Sequence, residues 1–393
     1  MIKRFIPVCF SLLVFPLGTA LAAEPIKIGA LLTFSGAYAQ IGEEMANAMT
    51  VAFGEVGNSV EGREIKIIRA DTQGKPNVAL QQAKELVGSE GVDFLVGPVS
   101  SGESVALRDF VAESKIPMIA PNALSDDVTR SKCTPYIIPV GFSTIQSTKP
   151  IAEWLAARGQ KTAYTLAPDY VGPHQLIESF TRWFTAAGGK VIGGEFTPFQ
   201  KTDDFGPYLA RAKDAKPDFI YVFYAGGEAI KFMKQAAAFH VSDSTKLVGP
   251  GWTVSPLVLQ AEGDGAVGFL GILNYAPTID TPENKTFQKA YQEKYGHASS
   301  EFGAQAYDAA RFIMAGLKAT HGKTDDHAAL VKAIRATEVV GPRGPVSIDV
   351  ASDHVVQNMY LIEVEKTANG PALKVIDTIK QVKEEPSVCV LQY

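Results

Sequence analysis

The sequence predicts an α/β protein built as two lobes, on three observations. Short apolar runs rich in β-branched residues alternate with helical windows, the pattern of parallel sheet covered on both faces. This series breaks near residue 143 and then begins again. From Val355 the style changes to the alternation of antiparallel strands. A length of 393 residues suits two or three lobes, and a hydrophobic share of 46% is ample for their cores.

The first segment reads as an address. Met1-Ile2-Lys3-Arg4 is a short positive start, Phe5 to Leu17 is apolar, and Ala20-Leu21-Ala22 offers the small residues of a cleavage site. Residues 1–22 are therefore expected to be a secretory signal peptide, cut near Ala22-Ala23, which exports the mature chain. The other reading is an uncleaved anchor, which the shortness of the apolar run disfavours. Cys9 follows Val8, where a lipoprotein site would want a small residue. Cleavage removes Cys9, Lys3 and Arg4 and takes the formal charge from -5 to -7. Cys133 and Cys389 then remain in a compartment that permits disulfides and are expected to pair, the alternative being two separate buried thiols.

The elements follow in order. Ile26 to Leu32 is a strand, Ser35-Gly36 a turn, and about Gln40 to Val56 a helix. Glu64 to Ala70 is a strand carrying Ile65, Ile67 and Ile68, and Val78 to Val87 a helix. Val92 to Val96, Val105 to Ala112 and Ile116 to Ala120 repeat strand, helix, strand. The second series opens with a helix from Thr144 to Arg158 and a strand from Thr162 to Leu166. Helices from Gln175 to Ala187, Phe205 to Ala215 and Glu228 to Phe239 alternate with strands at Lys190 to Phe196, Asp218 to Tyr224, Lys246 to Gly249 and Gly268 to Tyr275. Three further helices run from Glu283 to Tyr295, Ala304 to Ala319 and His327 to Arg335. Val355 to Glu365 and Leu373 to Gln381 end the chain as antiparallel strands.

Composition narrows function. Thirty-seven basic against 42 acidic residues give no basic excess for nucleic acid. Three cysteines exclude a multi-thiolate metal cluster, and the six histidines form no H-E-x-x-H or close Cys/His pairing, so no metal or cofactor is expected. No G-x-S-x-G elbow and no phosphate loop occurs, which argues against a hydrolase or a nucleotide enzyme.

Ligands of open α/β sheets sit beyond the C-terminal strand ends, near helix N-termini. The segments there hold Gly, Ser, Asn, Pro and aromatics. The most informative is Gly97-Pro98-Val99-Ser100-Ser101-Gly102-Glu103, where a helix start with free N–H groups and hydroxyls would cradle a carboxylate. The plain alternative is an ordinary helix cap. His174, at another helix start, either donates to an anion or is a solvated first-turn residue.

Ile26-Lys27-Ile28-Gly29, Ser35-Gly36, Ala70-Asp71-Thr72, Gly97-Pro98 with Ser100-Ser101-Gly102, Ala120-Pro121-Asn122-Ala123, Ala167-Pro168-Asp169-Tyr170 and Ala306-Tyr307-Asp308-Ala309-Ala310 stand in an order and spacing that resemble the type I periplasmic binding proteins, in the leucine/isoleucine/valine-binding branch that feeds ABC importers. The resemblance covers essentially the whole mature chain. It implies two Rossmann-like lobes joined by three crossing strands, a ligand in the cleft between them, a mature chain in the periplasm, an inner-membrane ABC permease as partner, and a monomer. It divides the chain into a first lobe of residues 23–142 and 276–345 and a second of 143–275 and 346–393. Arg343, in the turn-rich third crossing, either bonds hinge carbonyls or is an exposed loop residue.

Carried over position by position, the family's carboxylate-binding serine matches Ser101, with Ser100 and Gly102 beside it. The next strand end gives Asn122, Ala123 and Leu124, and Leu124 lacks the family's hydroxyl. The second lobe offers Gly172 after Tyr170, together with Tyr224 and Gly226. The family's acid for the ligand ammonium falls at Gly249-Pro250-Gly251-Trp252, which holds no carboxylate. A buried ammonium without a paired charge costs several kcal/mol, so an α-amino acid is disfavoured, although Asp126, Asp127, Asp169 or Glu228 could still reach one. Phe34, Tyr38, Phe142, Tyr170, Tyr224 and Trp252 are aromatic candidates for the cleft, and aromatic walls suit flat apolar bodies. The expected role is therefore capture of a small carboxylate, an aromatic or apolar acid, by lobe closure. Branched-chain or other amino-acid binding, and a ligand-sensing subunit, are the alternatives.

Overall fold

The computed structural model describes residues 1–2, 23–122, 125–387 and 390–393. Residues 3–22 of the expected leader, Ala123, Leu124 and Cys389 lie outside them. No helix among the described residues is long and apolar enough to cross a membrane.

Two sheets carry the chain. The first has six strands in the order β2-β3-β1-β4-β5-β6: β1 Ile26–Leu32, β2 Ser59–Val60, β3 Arg63–Asp71, β4 Phe94–Val96, β5 Met118–Ala120 and β6 Ile137–Pro139. All pairs are parallel except the short β2–β3 hairpin. Between the strands run α1 Ala39–Gly54, α2 Pro76–Glu85, α3 Ser101–Ser114 and the single turn α4 Asp126–Thr129. The central strands read as unbroken apolar runs because helices cover both faces: Phe94, Leu95 and Val96 are all fully buried.

The chain then crosses to the second sheet through α5 Thr144–Ala157. Its parallel part comprises β7 Thr162–Pro168, β8 Lys190–Thr197, β9 Phe219–Val222, β10 Lys246–Pro250 and β11 Leu270–Leu273. Its helices are α6 Val171–Ala186, α7 Gly206–Asp214, α8 Gly226–Ala238 and α9 Pro256–Glu262. The chain returns with α10 Pro282–Tyr295, α11 Glu301–Ala319 and α12 His327–Arg335, α11 packing along α1 of the first lobe. It ends in β12 Glu338–Gly341, β13 Gly344–Asp349, β14 His354–Thr367 and β15 Gly370–Val382, an antiparallel run that joins the second sheet through β14 and β11. The antiparallel style expected from Val355 is thus present, and the hairpin β12–β13 precedes it.

The three crossings meet in one buried polar knot. Arg343 and Asp308 are both fully buried, and Arg343 Nε donates to Asp308 Oδ2 at 2.7 Å. The rest of the guanidinium donates to Val140 O (2.9 Å), Gly141 O (3.1 Å) and Gln357 Oε1 (2.7 Å). Gln357 Nε2 and Asn274 Nδ2 also donate to Gly141 O. The hinge-carbonyl reading of Arg343 holds, and the exposed-loop reading does not. The C-terminal tail packs back on the first lobe near Cys133, with Arg130 paired to Glu384 at 3.2 Å and Ser387 Oγ donating to Thr129 O at 3.3 Å.

Candidate functional site

Helix starts from both lobes converge on one cavity. On the first lobe, the turn at Gly36–Tyr38 feeds α1, and α3 opens just after β4. Ser100 caps α3 in a capping box: its N–H and its hydroxyl both donate to Glu103 Oε2, at 2.9 and 2.8 Å. The Ser100 side chain is therefore committed to its own helix. Ser101, the next residue, has a buried hydroxyl with no partner and lines the cavity. The first-turn amides of Ser101 and Gly102 have no intrahelical acceptor, and the dipole of a 14-residue helix favours an anion there.

Tyr38, Ile41, Val99 and Asn122 line the same side, joined by Phe302 from α11. Phe142 and Thr144 come from the first crossing, Phe142 packing on Trp252 with ring centroids 4.0 Å apart. The second lobe adds Tyr170, Gly172 and Leu176 at the start of α6, and Phe223, Ala225 and Trp252 beyond β9 and β10. The cavity volume is about 60 Å³. One water needs about 10–15 Å³ by that measure, so the room is that of a single small molecule.

The lobes are closed on each other. The hydroxyls of Tyr38 and Tyr170 bridge the seam at 3.2 Å. Asp126 N donates to Gln175 Oε1 at 3.0 Å, and Gln175 Nε2 donates to Ser125 Oγ at 3.2 Å. A Cβ on Gly172 would stand 2.3 Å from Ser101 Oγ, and one on Gly226 would stand 2.5 Å from Ala37 O. Both glycines sit where the lobes touch. Burial holds the Tyr38 and Tyr170 hydroxyls above their ordinary range, so both are neutral donors.

Among the described residues, no charged side chain is part of the lining. Asp126 lies just behind it, its Oδ1 accepting from Thr144 Oγ1 at 2.5 Å, and burial raises its carboxyl. Glu228 Oε1 accepts from Gln200 N at 2.8 Å, below the seam. Asp169 is exposed and pairs with His174 at 2.7 Å, and Asp127 accepts from Ser131. His174 stacks on Phe196 and faces solvent, which is the first-turn reading of it.

Of the expected site residues, Tyr38, Ser101, Asn122, Phe142, Tyr170, Gly172 and Trp252 meet in the cavity. Ser100 turns to Glu103, Gly102 faces Pro76, and Gly226 meets the first lobe beside Ala225. Tyr224 is a correction. Alternation along β9 carries on past Val222, so Phe223 faces the cavity while Tyr224 points into the core, stacked on Phe232 at 4.4 Å. Phe34 is likewise outside the lining, under the Arg69 guanidinium. Ile41, Val99, Thr144, Leu176, Phe223, Ala225 and Phe302 were not expected. Ile41, Leu176 and Phe302 read as ordinary helix-core residues, whereas Val99 lies in the Gly97–Glu103 segment and Phe223 and Ala225 flank Tyr224, so these three had a usable signal.

Two α/β lobes closed over a small apolar cavity at their strand and helix ends define a cleft-binding protein that takes up a small solute. Residues 25–370 match the periplasmic binding protein family, and the chain belongs to it, among the solute-binding proteins of ABC transporters. It is 32% identical over 366 residues to the Leu/Ile/Val-binding protein homolog 6 of Brucella melitensis, covering 92% of this chain and 93% of that one. The structure is similar to an ABC-transporter solute-binding protein of R. palustris in complex with benzoate, with a TM-score of 0.87 and 30% identity over 93% of this chain and 99% of the other. A second R. palustris solute-binding protein, in complex with 4-hydroxybenzoate, superposes with a TM-score of 0.86 and 31% identity over 91% and 97%.

Proposed function

We propose that this chain captures a small carboxylate with a flat, apolar body, an aromatic acid above all, and delivers it to an inner-membrane permease. The observation that carries the reading is a cavity walled by Phe142, Phe223, Trp252 and Phe302, with neutral hydrogen-bonding groups and no charged side chain in its lining. Ser101 Oγ and the first-turn amides of α3 receive the carboxylate, and the aromatic walls take the ring. Tyr38 and Tyr170 bridge over it as the lobes close, so the water-free site strengthens each polar contact. An affinity near 1 μM needs only about 8 kcal/mol net. The lobes divide at residues 142/143, 275/276 and 345/346, and the protein works as a secreted monomer after loss of residues 1–22.

The two R. palustris complexes support an aromatic acid. The Brucella relative's name favours a second reading, a branched-chain amino acid. Against it stands the lining itself, which offers an ammonium no carboxylate. A thermal-shift panel of benzoates, aliphatic acids, leucine and valine decides between them. Ligand at 100 times its Kd adds about 2.7 kcal/mol of stability, so a true ligand gives a shift of several degrees. A shift with benzoates is expected, and a shift with leucine or valine alone overturns the aromatic reading.

A further inference from the structure

Three residues of the cavity lining each hold a buried side-chain atom without a partner: Ser101 Oγ, Trp252 Nε1 and Asn122 Oδ1. Native proteins leave few such atoms, and a cluster of them around one cavity describes the ligand that completes it. The three differ in chemistry. Trp252 Nε1 can only donate, and the Ser101 hydroxyl can donate or accept. Both suit a carboxylate. Asn122 Oδ1 can only accept, and a carboxylate has nothing to give it.

The orientation of the Asn122 amide is dictated by its surroundings. Nδ2 donates to Val99 O at 2.8 Å, and turning the amide over would set two acceptors face to face. Asn122 is 5% exposed, so its oxygen has no route to bulk water in the closed form. A ligand that leaves this oxygen bare forfeits the hydrogen bond water gave it in the open form.

Resting on the aromatic-acid reading above, we infer that the ligand carries a neutral hydrogen-bond donor on its ring, a hydroxyl, which meets Asn122 Oδ1, and that Asn122 is the specificity-determining residue separating hydroxylated aromatic acids from plain ones. An ammonium donor is disfavoured by the same lining, which offers it no carboxylate; Asp126, just behind it, accepts from the Thr144 hydroxyl through Oδ1. A phenolic hydroxyl needs no counter-charge and matches one acceptor with one donor. Sites built to bind a hydroxyl reject the analogue that lacks it far more strongly than apolar pockets reject a change of size.

The test is calorimetric titration of the full mature chain with 3- and 4-hydroxybenzoate against 3- and 4-methylbenzoate, which share their shape, and with benzoate. At least one hydroxy acid is expected to bind about tenfold or more tighter than its methyl counterpart. In Asn122→Leu that ratio is expected to collapse to within about threefold, with methylbenzoate binding kept or improved, which also shows the variant to be folded. Equal binding of hydroxy and methyl pairs by the wild type overturns the inference without any variant, as does a ratio that survives Asn122→Leu or Asn122→Ser. If every benzoate fails and leucine binds, the aromatic-acid reading falls and this inference with it. Equal benzoate binding removes the inference alone.

Discussion

At Gly226 the backbone has φ +57 and a Cβ would meet the Ala37 carbonyl oxygen at 2.5 Å and Tyr38 Cδ1 at 3.2 Å. The left-handed conformation alone costs a non-glycine residue about 1–2 kcal/mol, wherever the lobes are. The clash exists only when they are closed. Gly226→Ala is therefore expected to weaken ligand binding by about tenfold or more while Gly227→Ala, whose Cβ would come no nearer than 3.8 Å, binds like the wild type. Titration of the two variants side by side checks this, and equal affinities would show that the seam does not tighten on ligand. Single residues were also where the sequence was read best and worst. Ser101, Asn122 and Gly172 lie in segments that follow strands, which the pattern marks, while the resemblance to the family singles out the residues themselves. The sequence places Tyr224 on the wrong face because parity along a strand depends on where the strand starts, and one residue of error turns every side chain over. Phe302 stands 160 residues from Phe142 in the chain, and only the return of α11 to the first lobe brings it to the cavity.

At the scale of elements, the N-terminal turns of α3 and α8 both lie at the seam, α3 against α6 and α8 against the turn at Gly36–Tyr38, each with a buried glutamate in its first turn, Glu103 and Glu228. Both carboxyls are pushed up by burial, against the opposing pull of Ser100 and Thr72 on Glu103 and of the Gln200 N–H on Glu228. Asp71 adds to the rise at Glu103, and Lys231 opposes it at Glu228. Tyr38 from the first lobe and Tyr170 from the second lie against both acids, and Tyr224 is also near Glu228. Opening the lobes takes away the tyrosine that covers each acid from the other side. The closed form thus holds its carboxyl protons to higher pH than the open form, and closure takes protons up. Ligand affinity is expected to be highest at the acid end and to fall as pH rises from the ordinary carboxylate range through the raised values. Glu228→Gln should flatten that fall. Kd measured from about pH 5 to 8 in both proteins tests it; a flat wild-type profile, or the same slope in the variant, removes the coupling. The long elements around this seam were legible because their periodicity is sustained. The single turn α4, the three-residue β6 and the seven-residue α9 were not, since too few residues repeat to show a period.

Across the whole molecule, the two lobes depend on a knot of which the local pattern suggests one member, Arg343, and none of its partners. Arg343 sits in a Gly-Pro-rich turn, Asp308 in a helix and Gly141 at a crossing, and nothing in their sequence neighbourhoods links them. Folded, they share one buried site in which Gly141 O accepts from Arg343, Gln357 and Asn274. Burial raises the Asp308 carboxyl, and Arg343 works against that rise, so the pair stays charged only while both members remain. A Cβ at Gly341 would lie 1.8 Å from Asp308 Oδ1, so the turn must be glycine to let the acid in. Removing only the cation by Arg343→Met strands a buried carboxylate and is expected to cost about 3–5 kcal/mol. Removing both charges, as Arg343→Met with Asp308→Leu, is expected to recover much of that loss, because apolar groups ask for no desolvation to be repaid, although Val140 O and Gly141 O still lose their guanidinium donors. Urea unfolding of the wild type, both single variants and the double variant closes the cycle. If the double variant is as unstable as the sum of the singles, the two charges do not act as a pair and the knot is held by its neutral amides, Gln357 and Asn274, instead.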